Sequence, residues 1–286
     1  RGSMFSFATF LYAVMLCVFL LVEETSFKDT QEHSHDFKRY SVFSFYMYTV
    51  GIAFMIYVNL FVIHPKWLNR LLYWMVDRGT WKSAEKYVII PASHNAEAVN
   101  SLYLRLGVVF FGSMGVVLFG LLIFLLLSNE IHFINTPSAV TESILGLIFT
   151  FFQMYFMNVN YKLSITSSKN ICRFGFMHNF AVNIWTWHRF AIAKFHESII
   201  EQIRRFDERQ LRIASRISTT EDPRVQFAAV VDVIVPSEGE HGAIKAGQEI
   251  MGLLEHFGEL AIFLATCLIE YSVIGAAVMF VFWKHV

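Results

Sequence analysis

The chain has 286 residues, of which 55% are hydrophobic and only 16% charged, against roughly 25% charged in an ordinary soluble domain. Thirty residues are Phe, and the 23 basic and 23 acidic side chains cancel. This composition excludes a disordered chain, which would be poor in aromatics, and a nucleic-acid binder, which would carry a basic excess. Cys17, Cys172 and Cys267 each lie in an apolar run, so they read neither as a disulfide framework nor as a metal cluster. The expected class is all-α: a polytopic membrane bundle whose function resides in its polar exceptions.

A helix needs about 20 mainly apolar residues to cross the hydrocarbon core. Six segments qualify: 4–22, 42–63, 104–127, 141–160, 174–193 and 260–283. None alternates with the period of a barrel strand, so all six are expected to be helices. Together they predict one six-helix domain over 1–286. The first segment ends in Val22-Glu23-Glu24 without a small-x-small cleavage site, and is read as a retained helix rather than a signal peptide.

The connection 23–41 holds Lys28, Lys38 and Arg39, and 64–103 holds Lys66, Arg70, Arg78, Lys82 and Lys86. The stretch 128–140 holds no basic residue, and 161–173 holds Lys162, Lys169 and Arg173. The positive-inside rule then puts 64–103, 161–173 and both termini in the cytoplasm. The fifth connection, 194–259, opens as a charged helical extension. Its Glu197, Glu201, Arg204, Arg205, Glu208 and Arg212 recur at three- and four-residue steps, so opposite charges pair along it. Asp222-Pro223 is expected to break it, Val225–Val235 to run extended, and Pro236–Gly239 to turn.

An ionisable side chain at mid-membrane costs about 2.5–3.5 kcal/mol on insertion scales, so it is normally buried, paired or lining water. Glu270 lies near the middle of the sixth span and is a candidate proton carrier, or else a protonated acid bonding a neighbouring helix. Glu259, Thr266 and Glu270 fall on one face of that helix, and His256 extends the row. On the fourth span Glu142, Thr150, Gln153 and Asn160 share a broad face. Gln153 both donates and accepts, which suits a water chain or a bond between helices. On the fifth span His178, Asn183 and Thr186 are candidates, whereas His188 and Arg189 are placed near the outer end, where they can snorkel. The run Glu32-His33-Ser34-His35-Asp36 reads as a pH-sensing surface, a weak zinc site or a solvated loop. No phosphate-cradling or nucleophile-elbow motif is present, and no enzyme is expected.

Several stretches resemble the otopetrin family of proton-selective channels. The most specific runs from Arg173-Phe174-Gly175-Phe176-Met177-His178 through Asn183-Ile184-Trp185 to Glu197-Ser198. Leu102–Gly112, Phe149–Met154 and Ile269-Glu270-Tyr271-Ser272 are similar to the starts or centres of the family's third, fourth and sixth helices. The resemblance implies a dimer in which each subunit has twelve helices in two similar six-helix halves. This chain would supply the N-terminal half, ending at Lys284-His285-Val286, and its opening Arg1-Gly2-Ser3 ahead of Met4 reads as a cloning scar or incomplete start. Also implied are a polar triad joining Gln153 to Tyr271 and a third amide or carboxylate, and a Glu270 that faces a His of the other half. Ala265 and Thr266, where the third triad member is sought, carry no such group. The functional expectation is a plasma-membrane proton channel domain with no cofactor or resident metal, relaying protons through Gln153, Glu270, Tyr271, His178 and Asn183. His33, His35, His256 and Glu259 are its candidate pH sensors. Its expected partners are protons, lipid and a second copy or the other half. The alternatives are a non-conducting assembly partner and a metal-ion transporter.

Overall fold

The computed structural model describes residues 2–26, 35–78, 102–127, 136–163, 165, 168–217 and 259–286. Every element among them is helical: α1 (Gly2–Ser26), α2 (His35–Tyr57) prolonged by a π-helical turn (Val58–Ile63), α3 (Lys66–Asp77), α4 (Leu102–Leu127), α5 (Thr136–Val159), α6 (Lys169–Ile217) and α7 (Glu259–His285). Four of these helices are long and apolar enough to cross a membrane, over Val42–Ile63, Leu102–Leu127, Pro137–Val159 and Leu260–His285. The other two expected spans are helical but differ in kind. Among the described residues the apolar stretch of α1 is Met4–Phe19, and the sequence continues it through Leu20, Leu21 and Val22, all within the helix. The fifth expected span is one part of α6, a helix of 49 residues whose remainder is strongly polar. The charged extension expected after residue 193 is therefore present as far as Ile217, continuous with the span before it. The expected break at Asp222-Pro223, the strand Val225–Val235 and the turn at Pro236 lie outside the described residues.

Five helices close a ring. α2 packs on α5, α5 on α4, α4 on α7, α7 on α6 and α6 on α2, while α1 lies against the outside of α6. Short loops alone do not set this order, because α6 reaches both α2 and α7 across the bundle. The faces that meet inside are polar at mid-height and aromatic below it. Phe54, Phe156, Phe176 and Phe282, from four different helices, stack with centroids 5.1–6.2 Å apart and fill the end of the bundle where α2 and α5 finish. Gly175 makes this cluster possible, since a Cβ there would fall inside the ring of Phe54.

The elbow after α2 was not expected from the sequence. His64 N–H bonds the Asn59 carbonyl at 3.1 Å, in the wider π register. The next carbonyl in that register, Leu60, faces Pro65, which has no N–H to give. The Trp67 indole supplies the donor instead, at 3.0 Å, and folds α3 back against the end of α2.

Candidate functional site

The polar face expected on α5 is buried. Glu142, Thr150, Gln153 and Asn160 all point into the bundle. From Glu142 to Asn160 this face climbs about 27 Å at the α-helical rise, close to the thickness of the hydrocarbon layer.

Gln153 occupies the centre. Its Nε2 donates to Asn183 Oδ1 at 2.9 Å, and Asn183 Nδ2 donates back to Gln153 Oε1 at 3.1 Å. Asn183 Nδ2 also donates to the Asn179 carbonyl, one turn earlier on α6, at 2.7 Å. The two amides thus form a closed, reciprocal pair between α5 and α6, shut off from solvent. On α7, Gly275 makes room for it: a Cβ there would lie 2.5 Å from both Asn183 Oδ1 and Gln153 Nε2. One turn away, Tyr271 donates its hydroxyl to the Thr150 carbonyl at 3.1 Å. Gln153, Asn183 and Tyr271 therefore converge within about one helical turn. Neither Ala265 nor Thr266 supplies an amide or carboxylate here; the amide that pairs with Gln153 is Asn183, on α6. Ala265 is buried, and Thr266 accepts from Lys194 Nζ at 2.7 Å.

Two groups beside the pair escaped the sequence reading. The amide of Asn179 is fully buried, and neither its Nδ2 nor its Oδ1 has a hydrogen-bond partner. Its spacing of four from Asn183 was a legible signal, since both fall on one face of α6. Tyr48 is also fully buried. It packs on Phe149 and Trp185, within electrostatic reach of Thr186, Arg189 and Glu142.

Arg189 corrects an expectation. It does not snorkel to the outer boundary; it forms an ion pair with Glu142 across the bundle, and each side chain is only 11% exposed. Its guanidinium also sits over the Trp185 ring, 5.7 Å from the centroid. The pair places opposite charges where one alone would be desolvated at high cost.

His178 is buried apart from the central pair, among Tyr12, Tyr46 and Phe174. Its Nε2 lies 3.0 Å from the Met47 carbonyl, which can only accept, so Nε2 carries the hydrogen. In the neutral ring Nδ1 then accepts from the Tyr12 hydroxyl at 3.1 Å, and Tyr12 accepts from Tyr46 at 2.9 Å. This short chain starts on a partly exposed tyrosine and ends on a backbone carbonyl. It ties α1 to α2 and α6. Tyr12→Phe leaves Nδ1 without its donor and is expected to lower stability by about 1–3 kcal/mol, read as thermal unfolding in detergent. Tyr46→Phe, at the wetter end, should cost less.

Glu270 departs most from expectation. It lies near the midpoint of its helix but on the exposed side, in a stripe with Phe263, Val273 and Phe280. The cause is helical phase: the neighbouring Tyr271 and Ser272 are taken inward by α4 and α5, which turns Glu270 out of the ring. Of the candidate pH sensors, His33 and His256 lie outside the described residues. His35 opens α2 and Glu259 opens α7, with their side chains beyond description. No group of three or more His, Cys, Asp or Glu side chains arranged to hold a metal occurs among the described residues.

The otopetrin family profile matches residues 103–286, which takes in α4 to α7 and with them the amide pair, His178, Glu270 and Tyr271. A curated relative, "Proton channel OtopLc" of Drosophila melanogaster, is 28% identical over 207 residues, covering 70% of this chain. The matched stretch is 13% of that relative's length. With more than half of its length under the family profile, including every helix that builds the central polar site, the chain belongs to the otopetrin family.

Proposed function

We propose that this chain is a proton-conducting membrane domain whose path follows the buried face of α5 past the Gln153–Asn183 pair. The observation that carries the reading is that closed amide pair at the centre of a helix ring. Apolar side chains of the same volume would fill the position without the polar desolvation penalty. Amides do not titrate, so their role is to order water along which protons hop. The unpartnered Asn179 amide offers one donor group and one acceptor for such a water. Above the pair, toward Glu142, Thr186, Tyr48 and the Glu142–Arg189 pair continue the polar track, and Tyr271 and Thr150 do so on the α7 side. The closed pair and the phenylalanine cluster below it make the described conformation non-conducting. Protons pass, down their gradient and without a cofactor, when both part.

Glu270 takes a different place in this scheme. An exposed carboxyl at mid-membrane depth calls for a polar partner outside this ring. A second six-helix unit, whether another copy or the family's other half, would cover the Phe263–Phe280 stripe and give Glu270 that partner. In this reading the domain lies in the plasma membrane, and the basic connections 64–103 and 161–173 support an orientation with both termini in the cytoplasm.

The test is proton flux into liposomes carrying the full chain and a trapped pH dye. Gln153→Leu/Asn183→Leu removes donors and acceptors together, so the fold survives. Flux is expected to fall by at least about tenfold, which corresponds to about 1.4 kcal/mol, the order of one hydrogen bond no longer offered to water at the centre. Undiminished flux in the double variant would remove the pair from the path. No flux from the unaltered chain would favour the reading as a non-conducting assembly partner, which the dry central pair also fits.

A further inference from the structure

α3 is the one described helix that is both amphipathic and detached from the central ring. Leu72 is its buried anchor, with Leu68, Met75 and Val76 half-buried beside it. A second apolar strip remains uncovered: Trp67, Leu71 and Trp74 recur at steps of four and three and are 45%, 41% and 50% exposed. Basic residues border it. Lys66 and Arg70 are exposed on the adjoining face, and Arg78 lies over the Trp74 ring, 4.2 Å from its centroid. Asp77 is the single acidic residue between Lys66 and Arg78. Arg70, Tyr73, Trp74 and Asp77 also line an open surface groove on this helix.

The position of this strip is set by the elbow. The Trp67 indole is held by the Leu60 carbonyl, and Phe61 packs edge-on against it at 5.4 Å. α3 therefore leaves the end of a membrane-crossing helix at a fixed angle. Indole rings favour the level of the lipid headgroups, and arginine and lysine favour anionic headgroups beside them.

We infer that α3 lies in the plane of the inner leaflet, with Trp67, Leu71 and Trp74 sunk to the acyl boundary and Lys66, Arg70 and Arg78 binding anionic phospholipid headgroups. The occupant of the exposed strip is a bilayer surface, which the charge balance of the helix selects over a neutral one. The anionic leaflet faces the cytoplasm, the side to which the connection 64–103, with Lys82 and Lys86 beyond α3, is assigned by its basic residues. The helix acts as a peripheral anchor that fixes the depth of the lower end of α2, whatever the ring conducts.

The experiment uses the full chain in phosphatidylcholine vesicles doped with phosphatidylserine, with bromine carried high on the acyl chains of one lipid or the other. Tryptophan quenching is compared between the unaltered chain and Trp67→Phe/Trp74→Phe, the difference giving the signal of these two indoles. That difference signal is expected to be quenched about fivefold more effectively by brominated phosphatidylserine than by brominated phosphatidylcholine, and Lys66→Gln/Arg70→Gln/Arg78→Gln should abolish the preference. All three substituted positions are exposed, so the fold is retained and circular dichroism verifies it. Equal quenching by the two lipids would overturn the headgroup assignment. No difference signal would show that protein, another segment or a second copy, covers the strip, and would overturn the membrane assignment itself.

Discussion

Removing one member of the Glu142–Arg189 pair, as Glu142→Gln or Arg189→Met, is expected to destabilise the protein by about 3–5 kcal/mol. Each substitution strands the other group in a site where only 11% of the side chain meets the surroundings. The double variant Glu142→Leu/Arg189→Met should recover most of that loss, because it takes away both desolvation penalties together with the attraction. Unfolding of the purified chain in mixed micelles, titrated with a denaturing detergent, reads all three. Single variants that unfold with the unaltered protein would mean that the two groups are separately hydrated and do not bridge α5 and α6. The comparison also bears on conduction. If the double variant folds but its proton flux falls, the pair belongs to the polar track as well as to the scaffold.

Gly175→Ala is expected to be the most damaging single methyl in the bundle. The added carbon would coincide with the ring of Phe54, which is itself held edge-on by Phe176 at 5.1 Å. A flexible side chain could swing aside; this ring is walled in by the phenylalanine cluster, so α2 and α6 must separate. Overpacking of this kind costs about 1–3 kcal/mol and sometimes more. Phe54→Leu in the same chain should restore part of it, and the two changes should couple by about 0.5–3 kcal/mol in a double-mutant cycle. Additive effects would show that the α2–α6 contact yields elsewhere.

The sequence carried the bundle well where one physical signal dominated. Four apolar runs are long enough to cross a membrane, and their hydrophobicity alone located α2, α4, α5 and α7. The polar face of α5 was legible too, because Glu142, Thr150, Gln153 and Asn160, at steps of eight, three and seven residues, fall on one side of a helix. What could not be read is which helix each polar group meets. Asn183 was singled out, yet nothing in its spacing says that it faces Gln153 across the ring. Arg189 was misplaced for the same reason: position along a helix gives depth, and only packing gives azimuth. Glu270 shows the limit most sharply. It lies near the midpoint of α7, as the sequence indicates, but a single residue of phase separates it from the inward Tyr271. α3 was missed because the search was for twenty-residue apolar runs, and a helix of 12 residues with mixed faces falls below that threshold.

The length of α6 has a mechanical corollary. Forty-nine residues in one unbroken helix extend about 74 Å, more than twice the hydrocarbon thickness, so its last two dozen residues project well clear of the bilayer. The same rod carries Asn183 at its membrane-embedded end. Its geometry is that of a lever, with the amide pair on the short arm and the polar remainder of the helix as the long arm. A torque applied near Ile217, by a binding protein or a crosslink, would reach the Gln153 contact as a tilt, without any chemical signal having to enter the membrane.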